Sequence, residues 1–223
     1  MRAFTWEQRE FGNAFTNLQN NTLSRAELSE ESGVAMNVHY GDVLIKYGSV
    51  LNVKDENLPW IADLPKTAKL KSSYLQNGDI VIADTAEDET VGKCCEVNGI
   101  DDETVVSGLH TMPFRPALKL APMYLGYYLN SNSFHDQLLT LMQGIKVTSI
   151  SKSAIKTTKI AFPKSLKEQE DIGKVFASLD SLLTLHQRKC FLMIFYRWGD
   201  IMLQNGRKKR FFRMSFTSEK DFE

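Results

Sequence analysis

Between Gly144 and Lys164 the chain carries five lysines, Lys146, Lys152, Lys156, Lys159 and Lys164, with no acid among them and with Thr148, Ser149, Ser151 and Ser153 interspersed. Cations with short hydroxyl donors between them are suited to anionic oxygens such as phosphates. Forty residues upstream the balance inverts. From Asp84 to Glu103 eight carboxylates (Asp84, Glu87, Asp88, Glu89, Glu96, Asp101, Asp102, Glu103) face Lys93 alone. A third block, Arg207-Lys208-Lys209-Arg210-Phe211-Phe212-Arg213, sets aromatics inside basic residues. With 27 basic and 27 acidic side chains the net charge is zero, so only this segregation would let one face bind a polyanion. The alternative is that each block is simply a solvated face.

The motifs of self-contained catalysis do not assemble. The six prolines never adjoin, so the Asn-Pro-Pro-Tyr turn of an amino-group methyltransferase is missing. Gly92-Lys93 has Glu87 where a phosphate-binding loop needs its first glycine, and no Gly-x-Ser-x-Gly elbow occurs. The acids around Asp79, Asp84 and Glu89 are not followed by the Glu/Asp-x-Lys step of a metal-dependent nuclease. His39, His110, His135 and His186 stand in four separate elements and read as polar surface. Cys94, Cys95 and Cys190 form no Cys-x-x-Cys or Cys/His cluster and read as reduced structural thiols. The expectation is a chain with no catalytic residues, no metal and no cofactor.

The elements that must position the charged segments fall into two textures. The chain has 223 residues, 43% apolar and 24% charged, which excludes disorder and collagen and allows one generous domain or two small ones. No run of about 18 apolar residues would span a membrane, and the opening Met1-Arg2-Ala3-Phe4-Thr5-Trp6-Glu7 lacks the apolar core of a signal peptide. A cytoplasmic protein is expected. Short strands are predicted over Asp42–Lys46, Asp79–Ala83 and Thr104–Val106, the first two sharing a Gly-Asp opening. Pro122 suits the first position of a helix through Leu129, Ser133 a cap for Phe134 to Gln143, and Gly144 its stop. A helix-and-strand segment over Ile155–Phe162 ends at Pro163. The class expected for residues 1–163 is α/β (α+β), a globule of short strands and helices.

Ser165-Leu166-Lys167-Glu168 then reads as a capping box that opens a long helix over residues 164–200. Ile172, Val175, Phe176, Leu179, Leu182, Leu183, His186, Cys190 and Met193 step by three and four along one stripe. A helix of some 30 residues extends about 45 Å, further than the globule behind it, and such a stripe needs a partner helix. Folding back on its own globule is the alternative. Residues 201–223 remain as a basic tail.

Several segments together resemble the specificity subunits of type I restriction-modification enzymes. Trp6-Glu7-Gln8-Arg9-Glu10-Phe11-Gly12 is similar to the family's Trp-Glu-Gln-Arg-Lys-Leu-Gly opening, and Gly78-Asp79-Ile80-Val81-Ile82-Ala83 to its Gly-Asp-Ile-Leu strand. Ser107-Gly108-Leu109-His110-Thr111, Phe114-Arg115-Pro116, Phe162-Pro163 and Glu168-Gln169-Glu170-Asp171-Ile172-Gly173 complete the family's order. The resemblance runs from residue 6 to about 189. It implies a target recognition domain reading part of a bipartite DNA site, then a spacer helix that pairs antiparallel with another. Two departures stand out. A full family member has two such domains and two helices, and here the charged heptads expected after Leu185-His186-Gln187-Arg188-Lys189 give way to Phe191-Leu192-Met193-Ile194-Phe195-Tyr196-Arg197-Trp198. Phe222-Glu223 stands where a second Trp-Glu opening would begin, as in a half-length form.

On that resemblance Lys146, Lys152 and Lys156, with Thr148, Ser149 and Ser151, are expected to meet phosphates of double-stranded DNA. Lys46, Tyr47 and Ser49, and His110, Thr111 and Arg115, are the candidates for base readout; Arg115 would offer a fork to guanine, or else pair with one of the Asp84–Glu103 acids. Those acids would face away from DNA, towards the methyltransferase subunits. Ile172, Phe176, Leu179, Leu183 and His186 would form the dimerisation seam. The implied partners are methyltransferase and restriction subunits, and a second copy or a different half-length specificity subunit. The competing function is a truncated or regulatory fragment that binds partner subunits without reading DNA.

Overall fold

Period-two alternation of apolar side chains along the central strands builds two cores, one on each face of a sheet. The computed structural model describes residues 5–62, 73–144 and 146–204, the stretch 190–204 as helical backbone only. Its strands are β1 (Trp6–Glu10), β2 (Phe15–Asn17), β3 (Ala35–Val38), β4 (Val50–Asn52), β5 (Trp60–Ile61), β6 (Ile80–Ala83), β7 (Thr85–Ala86), β8 (Cys94–Asn98), β9 (Val105–Ser107), β10 (Thr111–Pro116), β11 (Thr148–Ser149) and β12 (Lys159–Pro163). Its helices are α1 (Phe11–Ala14), α2 (Tyr40–Ile45), α3 (Tyr124–Leu129), α4 (Asn132–Leu139), α5 (Lys152–Ile155) and α6 (Leu166–Gln204). The principal sheet has the order β2-β10-β6-β8-β4, with β4 parallel to β8 and the other pairs antiparallel. Beside it lie β5-β3-β9 and the pairs β1-β12 and β11-β7. The class is mixed α/β, as expected.

Ile80, Ile82 and Cys94 point into the first core, where Phe11 stacks on Phe15 at 4.2 Å and meets Phe114 edge-on at 4.9 Å. Val81, Ala83, Cys95 and Val97 point into the second, with Val43, Tyr47 and Leu51. Cys94 and Cys95 therefore lie on opposite faces; both are buried, and burial pushes both thiols up, Cys95 to about 12, which leaves them unreactive.

The predicted strand Asp42–Lys46 is a helix, α2. His39 caps it by accepting from the Gly41 amide at 3.2 Å, and only Val43 of the helix is fully buried, whereas Ile80, Val81, Ile82 and Ala83 are all buried. The two Gly-Asp openings diverge because one apolar run enters the central slot of the sheet and the other lies on its face. α3 starts at Tyr124 after Met123, whose φ is 70°, so Pro122 precedes the helix instead of opening it. α4 starts at Asn132 and ends at Leu139; Ser131, not Ser133, is its cap, its carbonyl accepting from Phe134 and His135.

Glu96 is 2% exposed and serves α3 from below, accepting from the Met123 amide at 2.6 Å and the Gly126 amide at 3.0 Å. Burial raises its pKa above 4.5 despite those donors. The folded state then holds this proton more tightly than the unfolded chain, so Glu96 contributes falling stability as pH rises from the ordinary carboxylate value through the raised one. Glu96→Gln, which cannot lose a proton, is expected to flatten that part of the pH profile of the melting temperature. An unaltered profile would assign the slope to other groups.

The root of α6 is fastened to the globule. Ser165 Oγ accepts from the Glu168 amide at 3.3 Å. Gln169, 2% exposed, donates to the Pro163 carbonyl at 2.7 Å and accepts from the Ala121 amide at 2.8 Å. Phe176 stacks on Tyr127 at 5.4 Å. One compact unit accordingly runs over Met1–Ala177, and Ser178–Glu223 form a second. In the second, Leu179, Leu182, Leu183 and Leu185 are 47%, 63%, 59% and 61% exposed. The side chains of Cys190, Met193 and the aromatic run 191–198, and the basic tail from 205 onward, lie outside the described residues.

Candidate nucleic-acid interface

The antiparallel pair β6 and β10 has two chemically different ends, because Thr111 lies opposite Ala83 and Phe114 opposite Ile80. Asp79 precedes β6 and Asp84 follows it. Five residues at about 3.4 Å each separate them by roughly 17 Å.

At the Asp79 end stands Arg115. Its guanidinium grips Asp79 with a fork, Nε to Oδ1 at 2.8 Å and Nη2 to Oδ2 at 2.7 Å, and Nη2 also donates to the Tyr74 carbonyl at 2.9 Å. The Asp79 side chain is 2% exposed and also accepts from the Gln76 amide at 2.8 Å. Of the two readings of Arg115, the structural pair is the one formed, with Asp79 and not with an acid of the Asp84–Glu103 block. A fork spent on a buried carboxylate is not available to guanine.

The opposite end gathers the other polar candidates. His110 sits at φ 55° after Gly108-Leu109, with Nδ1 3.2 Å from Asp84 Oδ1 and its ring edge-on to Tyr40 at 5.3 Å. His39 packs beside Tyr40 at 4.8 Å. Below the His110 turn a buried polar network holds the backbone. Asn21 donates to Asn37 Oδ1 at 2.6 Å and to the Ser107 carbonyl at 3.0 Å, and Ser107 Oγ bonds Thr111 Oγ1 at 2.6 Å. Thr111 is 1% exposed and presents nothing to a base; its hydroxyl supports the turn that presents His110.

The lysine segment joins this end through β11. Thr148 and Ser149 pair with Ala86 and Thr85, and the Ile150 amide donates to the Asp84 carbonyl at 2.9 Å. Ser151 caps α5, accepting from the Ala154 amide at 3.1 Å. Lys152, half-buried, reaches Asn20 Oδ1 at 3.4 Å, and Asn20 in turn donates to the Gly108 carbonyl at 3.2 Å. Burial lowers the pKa of Lys152, opposed by Asp84 and reinforced by Lys156. Lys146 is exposed and Lys156 half-buried.

Of the first loop, Lys46 is spent on the Asn57 carbonyl at 2.6 Å and lies 3.6 Å from Glu56. It follows a helix, not a strand. Tyr47 is 1% exposed, its hydroxyl has no partner among the described residues, and burial pushes its pKa far up. A side chain so enclosed cannot reach a base edge. Ser49 Oγ accepts from Asn130 at 3.3 Å and is half-buried. In α6, Ile172 packs on the globule and Phe176 on Tyr127, whereas Leu179, Leu183 and His186 are exposed.

The acids do not all turn away. Asp84 is part of the His110 end, Glu96 is interior, and Asp101 pairs with Lys54. Asn20 and Tyr40 belong to the site although the sequence did not mark them, and His39, expected as polar surface, packs beside Tyr40 there. The available signal was His39-Tyr40 ahead of Gly41-Asp42, a polar and aromatic pair at a helix start. Among the described residues, no three His, Cys, Asp or Glu side chains gather to hold a metal, and no helix is long and apolar enough to cross a membrane.

Residues 5–190 match the model of the type I restriction modification DNA specificity domain. None of the curated proteins matches the sequence. Among solved structures, the fold is similar to the S subunit of a type I restriction-modification system from M. genitalium, at 14% identity and a TM-score of 0.53 over 81% of this chain and 40% of that one. It is also similar to a chain from a structure of the assembly and conformational transition of a type I R-M system, at 17% identity and a TM-score of 0.56 over 82% and 40%. The HsdS subunit of Thermoanaerobacter tengcongensis matches at 16% identity and a TM-score of 0.50 over 82% and 39%. The chain thus spans about two-fifths of the length of these structures.

Proposed function

The chain belongs to the type I restriction modification DNA specificity domain family, and from that premise we propose that it is the non-catalytic DNA-reading part of a cytoplasmic type I restriction-modification system. It reads one half of a bipartite site in double-stranded DNA and scaffolds methyltransferase and restriction subunits. The observation that carries this reading is the gathering of His110, Tyr40, Asn20 and Lys152 with the hydroxyls of Thr148, Ser149 and Ser151 at one end of the sheet, at the start of a lysine segment free of acids. Cations and hydroxyls there meet phosphates and fix register; His110 and Tyr40 meet base edges, with Asn20 holding Lys152 to the Gly108 turn. Lys46, Tyr47, Thr111 and Arg115 act from behind, as supports. The exposed leucines of α6 pair with the same helix of a second copy or of a different half-length subunit.

The test is the salt dependence of DNA binding. Log affinity is expected to fall with log salt by about 0.9 for each phosphate neutralised. Lys146→Ala and Lys152→Ala are each expected to make that slope shallower by roughly one unit while the preferred sequence persists. An unchanged slope in both variants would remove the lysine segment from the interface.

A further inference from the structure

His110 and Asp84 meet across backbones that are both held. The Asp84 amide donates to the His110 carbonyl at 3.1 Å, the Asp84 carbonyl accepts from the Ile150 amide at 2.9 Å, and Thr111 pairs with Ala83 in the ladder of β10 and β6. Between the side chains, Nδ1 of His110 lies 3.2 Å from Oδ1 of Asp84. The two are 48% and 30% exposed, and Tyr40 closes one side of the imidazole, edge-on at 5.3 Å. The second ring nitrogen, Nε2, has no hydrogen-bond partner among the described residues.

An imidazole with one proton donates from one nitrogen and accepts at the other, and the bond made by the first decides the role of the second. An ionised carboxylate can only accept, so Asp84 keeps the proton on Nδ1 and leaves Nε2 an acceptor. The charged and titratable neighbours agree with this. Lys152 of α5 offers Asp84 a counter-charge, which opposes the lowering of the Lys152 pKa by burial. His39 accepts from the Gly41 amide at 3.2 Å, and burial lowers its pKa, so it adds no positive charge beside Tyr40. In the major groove adenine and cytosine present donors, their exocyclic amines, whereas guanine and thymine present only acceptors. Resting on the DNA-reading role proposed above, we infer that Asp84 is a positioning residue that fixes His110 as an acceptor, so that the base read by His110 is adenine or cytosine. A histidine without such a partner would serve guanine as readily.

The test has two independent arms, both on the full chain. The first is nitrogen NMR of isotopically labelled histidine at about pH 8, where an ordinary imidazole carries one proton. The His110 signals, identified by their loss in His110→Gly, which suits the left-handed turn, are expected to place the proton on Nδ1; in Asp84→Ala it is expected to move towards Nε2. In the second arm the chain selects duplexes from a randomised pool, and each adenine or cytosine is replaced by purine or pyrimidinone, which lack the amine, or adenine by its 7-deaza analogue, which lacks the N7 acceptor. At one position of the half-site, removal of the amine is expected to weaken binding by the native chain about fivefold more than binding by His110→Gly, the worth of one neutral hydrogen bond. Loss of N7 is expected to affect both chains equally. Asp84→Ala is expected to lose the fivefold difference and to admit guanine at that position. A proton on Nε2 in the native chain, a His110-dependent position occupied by guanine or thymine, or an unchanged base preference in Asp84→Ala would each overturn the assignment while leaving DNA reading intact. Failure to select any duplex would overturn the DNA-reading role itself, and this inference with it.

Discussion

A chain carrying Leu179→Asp together with Leu183→Asp is expected to sediment as a monomer under conditions where the native chain associates, and to lose tight DNA binding while its recognition domain stays folded. Leu179 and Leu183 are 47% and 59% exposed in the single chain, so the substitutions take nothing from its own core. In an antiparallel helix pair each aspartate would sit in an apolar seam, at a cost of several kcal/mol per buried charge. With one recognition domain at each end of a twofold pair, the site read is an inverted repeat with a fixed gap, because closed twofold symmetry in the protein requires it in the DNA. Sedimentation velocity across micromolar concentrations, with the selected DNA word read alongside, checks both parts. A native chain that stays monomeric, alone and with methyltransferase subunits, and reads an asymmetric word would overturn the twofold pair and favour pairing with a different half-length subunit.

Arg115→Ala is expected to cost about 3 kcal/mol of folding stability, because it leaves the Asp79 carboxylate buried without its counter-charge. Asp79 would keep one acceptor bond, from the Gln76 amide at 2.8 Å, and lose both arms of the fork. Arg115→Lys keeps the charge but not the planar fork and is expected to fall between the two. Urea unfolding of the three proteins measures the difference. A variant as stable as the native chain, with relaxed preference at one base pair, would return Arg115 to the DNA.

The order of elements was readable because the residues that form them are local signals. The Gly78-Asp79 turn before Ile80-Val81-Ile82, the Ser165-to-Glu168 cap and the three-and-four stripe beyond it each specify a short-range geometry. The strand expected over Asp42–Lys46 fails for the same reason that β6 succeeds. A short apolar run takes its conformation from the slot it fills, and the slot between β10 and β8 holds only one strand.

Charge segregation, the missing catalytic motifs and the long apolar stripe are properties of the sequence by itself, since they depend on side-chain type and spacing along the chain. Which polar side chains face outward is a property of the fold. Asn20, Tyr40, His110 and Lys152 meet only because β6, β10 and β11 end together, across separations of up to 132 residues. Adjacent residues part company for the opposite reason. His110 is presented and Thr111 buried because His110 stands in a left-handed turn, φ 55°, and Thr111 begins β10; Lys46 is half-exposed and Tyr47 fills the core because Lys46 caps the end of α2 and the chain turns inward there. Arg115 shows the same division: its type announced a forked contact, with guanine or with an acid of the Asp84–Glu103 block, and only the tertiary packing of Asp79 beside it decided that the partner is that carboxylate.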